Sequence, residues 1–148
     1  MNSLPKLNFP SIRMRAKRVE GELYVWDSLR RRYLLLKPEE WVRQHLVAYL
    51  INEHNIPSVN IVQEYPVDIN GMAQRADIVV VGVDAKPLML VECKAADVNI
   101  DAKVFEQASR YNAVVGARYV LLTNGKSHYL FGREGSDYHQ LTDFPQLF

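Results

Sequence analysis

Residues 88–112, LMLVECKAADVNIDAKVFEQASRYN, open as a buried strand and close as a helix. An apolar strand of this kind needs other elements to cover it, so the chain must build a sheet with a further layer packed on it. The strand ends in Glu92-Cys93-Lys94. Successive strand side chains point to opposite faces, so Glu92 and Lys94 share one face and Cys93 takes the other, where it reads as a core residue. An apolar strand that finishes by aiming a carboxylate and an ammonium the same way is the feature that calls for a chemical explanation.

The rest of the pattern supplies the elements. Residues 1–11 read as a loose leader with two prolines. IRMRAKRV (12–19) alternates apolar and basic residues, and ELYVWDSLRRRYLLL (22–36) reads as two more strands around Asp27-Ser28, so the front forms a small antiparallel sheet. Pro38 opens a helix through residue 55, with Glu39 and Glu40 at its positive end and Leu46, Tyr49 and Leu50 on one apolar face. Strands follow at 58–70, 71–84 and 85–95, with a turn at Asn70-Gly71. A helix spans 101–115, strands cover 117–125 and 126–133 around a turn at Asn124-Gly125, and coil ends the chain. From residue 38 the order is α-β-β-β-α-β-β: a mixed central sheet flanked by helices, α/β bordering on α+β. The division expected is a basic N-terminal β extension, 1–37, and a core, 38–148.

With 148 residues the chain suits one domain with a real core. A single cysteine excludes an internal disulfide. No apolar run approaches the ~20 residues of a membrane span, and the N-terminus lacks a secretory apolar region, so a cytoplasmic protein with no membrane contact is expected. Residues 1–37 hold nine Lys/Arg against three Asp/Glu, a net of +6; residues 38–148 hold nine against fourteen, a net of −5. Such asymmetry fits a basic surface for a polyanion beside an acidic metal site, and equally fits solvated faces that neutralise each other in the fold.

Asp77 begins the strand DIVVV, and the short link at 82–87 pairs that strand antiparallel with LMLVECK. Asp77 then lies near Glu92, with Lys94 beside them. Two close carboxylates repel unless a cation lies between them, and oxygen ligands suit Mg²⁺ or Mn²⁺. Gln107 and Tyr111, four apart on the second helix, share a face that can reach the same place. The blander alternative is an exposed Glu-Lys pair with an unrelated Asp. The histidines at 45, 54, 128 and 139 lack metal-ligand spacing, and Trp26 and Trp41 read as core or sheet cover.

RADIVVV, LVECKA, EQASRYN and ARYVLLTNG resemble the N-terminal nuclease domain of type I restriction enzyme R subunits, of the PD-(D/E)xK phosphodiesterase superfamily that includes archaeal Holliday junction resolvases. The resemblance runs over about residues 38–132, from KPEEWVRQHLVAYL to TNGKSHYLFG. It implies a restriction-endonuclease-like core and Mg²⁺ or Mn²⁺ held by Asp77, Glu92 and the backbone carbonyl of Cys93. It makes Lys94 the catalytic lysine, and Gln107 and Tyr111 a pair that positions DNA. Superfamily members often add a glutamate from the first helix; Glu40 is the choice here, with Glu39 close behind. The proline of the superfamily name is replaced by Ala76, before Asp77. No GxxxxGK[ST] loop is present, so ATP-driven translocation is not expected of this chain.

The leading expectation is a metal-dependent DNA endonuclease of restriction or repair type, with DNA, a separate restriction-system subunit and a second copy of the chain as the partners the resemblance implies. The alternative is a non-cutting module that docks DNA or a partner on a nuclease fold. An unrelated α/β protein is the third reading.

Overall fold

A computed structural model describes residues 4–148. A three-stranded antiparallel sheet comes first: β1 (Ala16–Val19), β2 (Glu22–Asp27) and β3 (Arg32–Leu35), in that spatial order. Helix α1 (Pro38–His54) and a 3-10 turn (Ser58–Asn60) lead to β4 (Ile61–Ile69), β5 (Met72–Val81) and β6 (Pro87–Cys93). Helix α2 (Ala102–Val115) precedes β7 (Tyr119–Thr123), β8 (His128–Glu134) and β9 (Asp137–Leu141). The second sheet has the order β4-β5-β6-β7-β8-β9. Its pairs are antiparallel except β6–β7, which is parallel because the chain crosses over through α2 between them.

The two helices cover opposite faces of this sheet. Val42, Leu46 and Leu50 of α1 pack with Ile78, Val80, Met89, Val91, Cys93 and Leu121. Val104, Ala108 and Tyr111 of α2 pack with Val79, Leu90, Val120 and Leu122. Strands β6, β7 and the second half of β5 are therefore covered on both sides, which suits their largely apolar sequences. The sheet is mixed and flanked by helices, with a small antiparallel sheet at the N-terminal side, as the residue pattern predicts.

Three expectations change. Residues 134–148 are read from sequence as coil, but β9 adds an edge strand, with Glu134 opposite Asp137 across Gly135-Ser136. A strand of five residues, none of them fully buried, has too little apolar alternation to announce itself. Asn124-Gly125 belongs to a four-residue loop rather than a two-residue hairpin, since Thr123 pairs with His128. Asn124 Oδ1 accepts from the amides of Lys126 and Ser127 and shapes that loop. Finally, residues 5–9 are no loose leader. Leu7 is buried in the α1-side core, Asn8 N donates to Gly125 O, and Trp41 Nε1 donates to Pro5 O. Gly125 has φ +85°, and a Cβ there would lie 2.7 Å from Leu7 Cδ2, so this glycine makes room for the N-terminal segment.

Candidate active site

The site lies where β5 and β6 part. Their ladder runs to Ile78 opposite Val91. One step further, the Asp77 carboxylate replaces the missing backbone partner: Cys93 N donates to Asp77 Oδ2 at 2.8 Å. Asp77 N in turn approaches Glu92 Oε1 at 3.4 Å. On the other side, Glu64 sits opposite Asp77 without a ladder pair and has φ +54° in mid-strand. Such a conformation costs a non-glycine residue about 1–3 kcal/mol and marks functional sites more often than ordinary strands. Released from both neighbours, the backbone at Asp77 departs from strict alternation: Ala76 packs on the α2 side and Ile78 on the α1 side. Asp77 can thus meet groups from both layers.

Glu92 is only 4% exposed. Burial first, and the neighbouring Asp77 second, push its carboxyl up to about 8, against weaker help from the charge of Lys94. Burial also raises the Cys93 thiol well above its ordinary value, so Cys93 is an inert core side chain, and its amide serves Asp77. Lys94 continues the parallel ladder by donating its amide to Thr123 O at 2.9 Å. Its ammonium favours the charged forms of both Glu92 and Glu39.

The N-terminal turn of α1 brings its two glutamates to different places. Glu40 is buried, with both oxygens engaged: Oε1 accepts from Arg30 Nη2 at 2.7 Å and Gln44 Nε2 at 3.1 Å, and Oε2 accepts from Arg43 Nη1 at 3.0 Å. Glu39 is more open and shares Arg43 Nη2 with Asp77 Oδ1, each at 3.4 Å. Burial, and then the charge of Asp77, raise the Glu39 carboxyl, while Arg43 and Lys94 oppose the shift. Glu39 therefore faces Asp77 and Lys94, and Glu40 faces two arginines.

Gln107 Nε2 donates to Tyr111 Oη at 3.3 Å. Tyr111 packs in the α2-side core with Leu90, the β6 neighbour on Glu92's face. The pair lies on the layer Glu92 points into, but neither side chain hydrogen-bonds Asp77, Glu92 or Lys94 among the described residues.

Arg43 is the site residue that sequence reasoning passes over. Burial works against its charge, yet Glu40, Asp77 and Glu39 outweigh that and raise its pKa. Its spacing of three and four residues from Glu40 and Glu39 is a legible helix pairing, but its reach to Asp77 is not.

Among the described residues, no group of three or more His, Cys, Asp or Glu side chains forms a metal cage. The donor set expected from the sequence is the carboxylates of Asp77 and Glu92 with the Cys93 backbone carbonyl. Mg²⁺ is commonly held by one or two carboxylates with waters completing its shell, so these residues suit it. Glu92 is buried beside Asp77, and a cation between two such carboxylates would offset both burial and repulsion.

A solved fragment assigned to the HsdR subunit of a type I restriction enzyme from Vibrio vulnificus YJ016 is similar in fold, with TM-score 0.59 and 21% identity over 76% of this chain. This chain spans 24% of that one. No curated protein matches significantly. No helix among the described residues is long and apolar enough to cross a membrane. The family described as type I restriction enzyme R protein N terminus matches residues 38–145. That span covers both helices and the whole six-stranded sheet, and the chain belongs to this family.

Proposed function

We propose that the chain is a metal-dependent DNA endonuclease module of a restriction system, hydrolysing phosphodiesters with Mg²⁺ or Mn²⁺. The observation that carries the reading is the Asp77–Glu92 pair in the opened seam between β5 and β6, with Glu92 buried and reluctant to ionise. Asp77, Glu92 and the carbonyl of Cys93 would hold the metal. When bound, it polarises the phosphate and acidifies water. Lys94 would orient the attacking water and stabilise negative charge developing on the phosphate. Glu39, rather than Glu40, supplies the third carboxylate of this reading, because it faces Asp77 and Lys94 while Glu40 is held by Arg30 and Arg43. Gln107 and Tyr111 line the α2 side. Exposed cations of the front segment, Arg13, Arg15, Lys17, Arg31 and Arg32, would meet the DNA backbone, a contact that weakens with salt.

The test is nicking of supercoiled plasmid with Mn²⁺, alongside EDTA and Lys94→Ala. We expect metal-dependent nicking that drops at least about a hundredfold in the variant. Activity retained by Lys94→Ala would sink the site assignment. Salt-sensitive DNA binding without nicking would instead select the non-cutting docking module.

A further inference from the structure

We propose that the β2–β3 turn belongs to the site, holding Asp77 through a chain of alternating charges, Asp27–Arg30–Glu40–Arg43–Asp77. Asp27, Arg30 and Arg43 then act as positioning residues. This rests on the metal-site reading above and extends it to residues outside the family match, which begins at 38.

The chain is continuous. Asp27 is 2% exposed, and its Oδ1 accepts from the amides of Leu29 and Arg30, each at 2.9 Å. Its Oδ2 accepts from Arg30 Nε at 2.8 Å. The same guanidinium reaches Glu40 at 2.7 Å, Glu40 reaches Arg43 at 3.0 Å, and Arg43 reaches Asp77 at 3.4 Å. Each arginine is a planar fork set between two carboxylates of the chain, with Glu39 also on Arg43, so it sets angle as well as distance.

Stability alone is a poor reason for such an arrangement. Buried ion pairs seldom outperform apolar packing of the same volume. This one also leaves Arg43 Nε and Gln63 Oε1 buried without partners, although Gln63 Nε2 points at Asp27 from 3.4 Å. What the chain provides is a fixed path from the front sheet to the carboxylate of Asp77, whose backbone makes no ladder pair with either strand neighbour. Strained Glu64 stands beside the same path, 3.8 Å from Arg30 Nη1.

Removing the positive charge of Arg30 should, by Coulomb's law alone, tighten binding of a divalent cation. Loss of positioning should weaken it. Calorimetry with Mn²⁺ alone and the full chain reads the sign. We expect Arg30→Met to weaken Mn²⁺ binding about tenfold, and to change nothing further in an Arg43→Met background, because both act through one chain. Arg30→Lys keeps the charge but loses the fork, and should fall between; it carries the test if Arg30→Met does not fold. Unchanged or tighter binding in the Arg30 variants overturns the proposal, as does an equal loss in both backgrounds. Wild-type chain that binds no Mn²⁺ overturns the metal reading itself, and with it the role given to these residues.

Discussion

Helices α1 and α2 cover opposite faces of one sheet, yet different physics holds them. Helix α2 is locally complete. Asp101 caps its start by accepting from the amides of Lys103 and Val104, each at 3.1 Å, and Gly116 ends it at φ +78°. Asn112 then ties the exit by bonding Ala117 through both its donor and its acceptor. Helix α1 has no side-chain cap at Lys37. It buries Glu40 and Arg43 along with its apolar residues, and beyond their pairs within the helix these two reach partners in the β2–β3 turn and β5. One helix is capped by its own side chains, while the other adds to its local pairs buried charges tied to residues distant in the chain. The second kind is where a site can be built, because its charges are already desolvated and aimed.

Substitutions can break or sharpen this contrast. The largest effect is expected at Glu40. Glu40→Ala removes the carboxylate shared by two arginines with 15% and 11% side-chain exposure, leaving Arg30 on Asp27 and Arg43 on Glu39 and Asp77, and should cost about 3 kcal/mol in denaturant unfolding. A loss no greater than that of an ordinary surface change would mean that α1 does not depend on the network.

Glu92 gives an intermediate effect with a pH signature. Its folded value, about 8, stands above the ordinary 4.5. Between these values the metal-free fold binds more protons than the unfolded chain, so stability falls as pH rises through that window. Glu92→Gln removes this dependence. In EDTA it should melt about 5 °C above wild type at pH 9, with most of that gain gone at pH 4.5. A gain that is the same at both pH values would show that ionisation of Glu92 is not what strains the metal-free site.

The smallest change belongs to α2. Asp101→Ala removes two capping bonds and should cost about 1 kcal/mol, measured in the same denaturation series. If it matched Glu40→Ala, the distinction between the helices would collapse.

Much of this molecule can be read from its sequence because the informative patterns are local. Apolar strands, Pro38, the Asn70-Gly71 turn and the Asp77, Glu92, Lys94 spacing each depend on residues near in the chain. Strand alternation alone places Cys93 in the core and Glu92 on the opposite face. Only the tertiary structure decided the rest. Glu39 and Glu40 are adjacent at the same helix end, and no local rule says which meets Arg30 and which meets Asp77. Residues 5–9 look like a leader until Gly125 provides the space that Leu7 fills. Arg30 and Asp77 are linked through Glu40 and Arg43, across separations that periodicity cannot reach. Periodicity reports which face of an element is buried; what that face meets is set by how the layers pack, and there the charges of this chain find their partners.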